Sequence, residues 1–170
     1  MYYWRVTKYN PKYRKNKKYV NNEWTTISDV GKSFNNTEFT FEEYLEYEKK
    51  YINAIILAMQ ESEIDNFVIE ELEKNVYEEY PDLSETKAKE FYDSLKNGMP
   101  ICTEKIGLVT KLILREMIWG KLISDSSFIH FGYDYYMYFG FEKDLKNARK
   151  SIENTRLFVE NIRSPYLDNA

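Results

Sequence analysis

The chain of 170 residues has one cysteine, Cys102, and one histidine, His130. A single cysteine excludes a disulfide scaffold, and one cysteine with one histidine cannot close a zinc site of the usual spacing. Glycine and proline are scarce, at six and four, which excludes collagen-like and low-complexity chains. No apolar run approaches the roughly 18 residues of a membrane-spanning helix; the longest lie at 54–59 and 112–114. The opening MYYWRVTKY lacks the apolar core of a signal peptide. The motifs GxGxxG, GxxxxGK[ST], GxSxG and HExxH do not occur. The reading therefore assigns no catalytic residue, no metal and no cofactor, and expects a cytoplasmic chain without a membrane partner.

Aromatic residues are plentiful. Sixteen Tyr, ten Phe and three Trp make 17% of the chain, far too many for a disordered protein. One domain over 1–170 is expected, with 167–170 frayed. Tyr2 to Tyr9 alternates in the manner of a strand. Thr40 and Glu43 have capping-box spacing ahead of an amphipathic helix running to about Ser62. Phe67 to Leu72 reads as a strand. Ser84 to Gly98 reads as a helix, and Thr103 to Trp119 as the most apolar helix, closed by Gly120. Leu122 to Ser124 is a short strand, Phe128 to Phe139 a kinked strand or hairpin bent at Gly132, and Phe141 to Ile152 a last helix. Leu157 to Ile162 is a final strand, and Pro165 is expected to end order. Strands and helices do not alternate strictly. The expected fold class is thus α+β, an antiparallel or mixed sheet of four to six strands with about four helices mainly on one face.

Charge is unevenly distributed. Residues 38–94 hold five Lys against seventeen Asp or Glu, a net −12, whereas residues 1–37 hold eight Lys or Arg against Glu23 and Asp29, a net +6. The acidic segment reads either as solvated helix faces or as a surface for a basic partner. Its candidate contact residues are Glu70, Glu71, Glu73, Glu78, Glu79 and Asp82. The basic run Lys12, Arg14, Lys15, Lys17 and Lys18 has the turn chemistry of an exposed hairpin tip, so direct nucleic-acid binding is not expected.

Two polar constellations stand out. Arg115 sits within an apolar helical pattern, where a charge is costly unless paired, and Glu48 is its expected partner. The segment His130 to Asp134 offers acid/base geometry if Asp134 accepts from His130. The bland alternatives are a structural ion pair and a buried strand whose polar groups satisfy one another. A pocket bringing Glu48, Arg115, His130, Tyr133 and Asp134 together would point to a small-molecule binder or enzyme. Cys102 is expected as a buried residue at a helix start.

The segments YYWRVTKYNPKYR, EWTTISDVGKSF, LILREMIWGKL and HFGYDYYMYFG resemble a family of small, uncharacterised bacterial proteins of the Gram-positive type, akin to immunity proteins. The resemblance covers nearly the whole chain and brings no activity or catalytic residue with it. Together with the acidic segment and the excess of tyrosine, it implies a non-enzymatic, protein-binding inhibitor. The leading expectation is an immunity protein that neutralises a basic toxin domain. The alternative is a phage-encoded inhibitor of a host defence nuclease that uses the same surface as a nucleic-acid mimic.

Overall fold

In the computed structural model, which describes residues 1–16, 18–84 and 87–167, the chain forms an α+β architecture. Strand β1 (Tyr2–Thr7) is followed by two small hairpins, β2 (Arg14–Lys15) with β3 (Lys18–Tyr19) and β4 (Ser33–Phe34) with β5 (Thr37–Glu38). Helix α1 (Phe41–Ser62) leads to β6 (Asn66–Lys74), then to the short helices α2 (Pro81–Ser84) and α3 (Ala88–Ser94). Next come β7 (Met99–Cys102), α4 (Thr103–Leu114), β8 (Ile118–Ser124), β9 (Ser127–Phe131), β10 (Met137–Phe141), α5 (Lys146–Asn154) and β11 (Phe158–Glu160). Seven strands form one sheet in the order β11-β1-β10-β9-β8-β6-β7, with every neighbouring pair antiparallel.

One face of the sheet packs under α1, which lies against both α4 and α5. Alternation along each strand supplies that face with Trp4 and Val6, Phe67 and Ile69, Leu122, Ile129 and Phe131, and Met137, Phe139 and Phe141, all buried. Trp4 stacks on Phe139 and Phe141 at 5.4 and 5.5 Å, an offset aromatic arrangement that adds to the area buried.

The opposite face carries Arg5, Trp119, Lys121, Phe128, His130 and Tyr138. No helix covers it. Residues 161–167 cross it instead, with the Tyr166 ring 6.0 to 6.2 Å from those of Tyr138, His130 and Trp119. Because both faces are covered, all five residues of β9 and all five of β10 are buried. Gly140 pairs with Phe128, and a Cβ on Gly140 would fall 2.2 Å from the Phe128 ring. The ring lies flat over that bare backbone, so only glycine fits there.

The helix expected over 103–119 stops at Leu114. Glu116 takes a left-handed conformation (φ 61), its N–H donates to Ile113 O, and the Met117 N–H donates to Leu112 O. This is a Schellman ending with glutamate in the place of the usual glycine. The strand expected at 122–124 therefore begins at Ile118, and Gly120 lies within it rather than at a helix end. There a Cβ would meet Ile69 and the Glu70 carbonyl at 3.1 and 3.3 Å. Strand β7 was not foreseen, and the sheet has seven strands rather than four to six. Order does not end at Pro165, because Ser164 and Tyr166 are packed on the sheet. Residues 168–170, expected to fray with Leu167, lie outside the described residues, as does Lys17 of the basic run. Cys102 is exposed at the start of α4, not buried.

Candidate functional site

The residues expected to share one pocket occupy three separate places. Arg115 follows α4 on the helix side. Its Nε and Nη2 donate to Glu48 at 2.7 and 2.8 Å, and its Nη1 and Nη2 donate to Asp82 at 2.9 and 2.8 Å. Tyr44 Oη donates to Glu48 at 3.0 Å, and the Tyr80 ring lies 4.7 Å from the guanidinium. The Arg115 and Glu48 side chains are 0% and 1% exposed, so this is a closed ion-pair network with no room for a ligand. Burial opposes the Arg115 charge, yet the hydrogen bonds to Glu48 and Asp82 raise its pKa further. Hydrogen bonds from Arg115 hold the Asp82 carboxyl down at about 2. Asp82, expected on the partner surface, is thereby tied into the protein.

His130 lies on the other side of the sheet. It pairs with Ser164, Nδ1 to Oγ at 2.8 Å, not with Asp134. The Tyr166 N–H donates to the same Ser164 Oγ at 3.2 Å, and Lys121 Nζ donates to Glu71 at 2.6 Å and to Tyr166 O at 3.3 Å. Burial, with Lys121 nearby, pushes the His130 pKa down to about 4. His130 and Ser164 are both 2% exposed, so this pair fastens the C-terminal segment and is closed to substrate.

Tyr133 and Asp134 belong to a third place. At one end of the sheet a cleft of about 710 Å³ opens between the 25–28 loop, the end of α4 and the β9–β10 connection. Tyr135 forms its floor and is locked in position: its Oη donates to Leu114 O at 2.8 Å, and Tyr51 Oη donates to its carbonyl at 2.7 Å. Asp134 and Tyr135 both take left-handed backbone (φ 56 and 60), a strained geometry for a tyrosine that these hydrogen bonds maintain. Tyr133 stands at the mouth, 86% exposed. Glu116, turned outward by the Schellman ending, accepts from Thr26 Oγ1 at 2.6 Å.

The acidic stretch borders this cleft. A bulge at Glu71 (φ 52) interrupts the pairing of β6 with β8 between Glu70 and Glu73. Glu70 pairs with Lys121 and Glu73 with Trp119, which puts both on the face crossed by the C-terminal segment. The chain then passes around the sheet end through Glu78 and Glu79 to Tyr80 and Asp82 on the helix side. Glu70, Glu73, Glu78 and Glu79 are exposed and make no ion pair among the described residues, while Glu71 is paired with Lys121. Of the six expected contact residues, Glu70, Glu73, Glu78 and Glu79 are thus exposed without an ion pair, and Glu78 accepts from Tyr80 Oη at 2.9 Å. In the basic run, Arg14 is not available to phosphate, because it binds Glu160 beside the Tyr136 ring.

Comparison with protein-family models, with curated proteins and with solved structures found no match. Sequence reading missed Asn75, Glu116, Trp119, Tyr135 and Tyr166 as cleft residues. Only an unforeseen helix end at 114 and an ordered tail bring them together. Among the described residues, no group of three or more His, Cys, Asp or Glu side chains is placed to hold a metal ion, and no helix is long and apolar enough to cross a membrane.

Proposed function

We propose that this protein is a non-enzymatic, protein-binding inhibitor, an immunity protein that occludes a basic toxin domain in the cytoplasm. The observation that carries the reading is that Glu70, Glu73, Glu78 and Glu79 are exposed and make no ion pair among the described residues. Such an acidic stretch would steer a basic partner and raise its association rate. The exposed Tyr133 beside it suits partner contacts, since a tyrosine offers a large contact area with little rotamer entropy to lose. The rival pocket reading loses its support, because Arg115 and His130 are each enclosed by their own partners on opposite sides of the sheet.

The test is co-purification from the native host with two tagged proteins, the wild type and a variant carrying Glu70→Lys, Glu73→Lys, Glu78→Lys and Glu79→Lys. The expected result is one stoichiometric basic protein held by the wild type at low salt, released at high salt and absent from the variant. A partner retained equally by the variant, or no partner at all, overturns the proposal.

A further inference from the structure

Three of this protein's own cations are held in the same way, each by a carboxylate and an aromatic ring face together. Lys8 Nζ lies 4.1 Å from the centroids of both Tyr9 and Trp24, with Glu23 Oε2 at 3.4 Å. Arg5 lies 4.3 Å from Tyr136, with Glu160 at 2.8 Å. Arg115 lies 4.7 Å from Tyr80 between Glu48 and Asp82. The combination works because the ring quadrupole and the carboxylate both attract positive charge, and the ring also shields it from water.

The cleft at the sheet end presents the same two components without a cation. Its lining includes Glu73, Glu116 and Asp134 and the aromatic residues Trp119, Tyr133 and Tyr166, but no lysine, arginine or histidine. Glu73 and Asp134 accept no hydrogen bond among the described residues. The two nitrogen-bearing side chains of the lining are already committed to backbone carbonyls: Trp119 Nε1 donates to Phe131 O at 3.1 Å and Asn75 Nδ2 to Glu116 O at 2.8 Å. What remains for a ligand is carboxylate acceptors, ring faces and the neutral hydroxyls of Thr25, Ser28, Tyr133, Tyr136 and Tyr166, inside a cavity large enough for a small organic molecule. An anion would find no cationic donor there.

We infer that this cleft is a binding site for an organic cation bearing alkylammonium or guanidinium groups. Glu73 and Asp134 supply the charge, and Trp119 and Tyr133 supply the ring faces. Two sources present this chemistry: a free polyamine, or the lysine or arginine side chain of another protein. The inference shares Glu73 with the toxin-inhibitor reading but does not rest on it, since a free polyamine fills the site without a protein partner.

The experiment follows the Trp119 indole N–H and the amides of Gly132 to Tyr135 by NMR of the full chain. The chain is titrated separately with spermidine, with N-acetylarginine amide and, as a control, with glutarate. Saturable shifts confined to the cleft are expected with at least one of the two cations and with neither signal nor saturation for glutarate. Spermidine alone identifies a free polyamine, whereas the capped arginine, alone or as well, identifies a side-chain source. The Glu73→Gln, Asp134→Asn variant is expected to bind about tenfold more weakly, from two lost charge contacts each worth about 0.7 kcal/mol. Asparagine tolerates the left-handed backbone at 134, so the fold is retained. Absence of shifts with both cations overturns the inference. So does binding that the double variant leaves unchanged, or an equal response to glutarate.

Discussion

The two faces of the sheet are covered by different means. On one, three helices bury an aromatic and aliphatic layer, and the buried Arg115 beside it is neutralised by Glu48 and Asp82. On the other, residues 161–167 lie over a mixed surface and are fastened by a few polar contacts, from His130 to Ser164 and from Lys121 to Tyr166 O. The helix side draws on contact area, which is non-directional and cooperative. The tail side draws on individual hydrogen bonds, each worth little net but costly to leave half-made. The open cleft, with Glu73 in its lining, lies at the end of the sheet. Side-chain packing thus dominates one side of the sheet and individual polar contacts the other.

The largest expected effect breaks the helix side. Arg115→Met leaves Glu48 buried without its partner and is expected to cost about 3–5 kcal/mol, measured by urea unfolding. Replacing Glu48 by leucine as well should recover much of that loss, because the buried charge is then gone.

The tail side should differ in its pH dependence. His130 is neutral in the folded chain, with its pKa at about 4 rather than the ordinary 6.5. The unfolded chain therefore binds a proton more readily between these values, and stability is expected to fall as pH drops from about 6.5 to 4. The difference amounts to on the order of 3 kcal/mol at its fullest. Below about 4 the Asp82 carboxyl, held at about 2, adds a second loss. Urea midpoints across this range should flatten above pH 4 in His130→Gln and remain sloped in the Arg115 variant.

A smaller effect comes from Ser164→Ala, which leaves the His130 Nδ1 buried without its partner at a cost of about 1–2 kcal/mol. Hydrogen exchange should rise first in residues 161–167 while the amides of β10 stay protected. The smallest effect runs the other way. Arg156 ends α5 in a left-handed conformation (φ 71), and Arg156→Gly is expected to gain about 1 kcal/mol by removing that strain, read as a raised urea midpoint.

That last position also explains which parts of the fold the sequence concealed. The elements with a strong repeat were legible: α1 from its Thr40 cap and broad apolar stripe, β1 and β6 from alternation, and the Arg115 to Glu48 pair from the cost of a charge in an apolar helix. The end of α1 was legible at Ser62, but those of α4 and α5 were harder, because Glu116 and Arg156 occupy left-handed positions that usually carry glycine. With Glu116 unmarked, the apolar pattern runs on through Met117 and Trp119, so helix and strand merge in the sequence. In β9 and β10 both faces are covered, and the alternation that would separate them disappears. The tail's place on the sheet has no periodic signature at all. The acidic stretch was legible as composition, but the place of Glu73 and Glu116 in the cleft depended on the bulge at Glu71 and the turn at Glu116.

The central claim is that the exposed acids of this stretch recruit a basic protein. The most direct measurement is the association rate of that isolated partner with the wild type and with the variant reversed at Glu70, Glu73, Glu78 and Glu79, over a series of salt concentrations. The account predicts fast, steeply salt-dependent association for the wild type, and for the variant a rate at least tenfold lower at low salt with a flat salt dependence. Equal rates with equal salt slopes would contradict it.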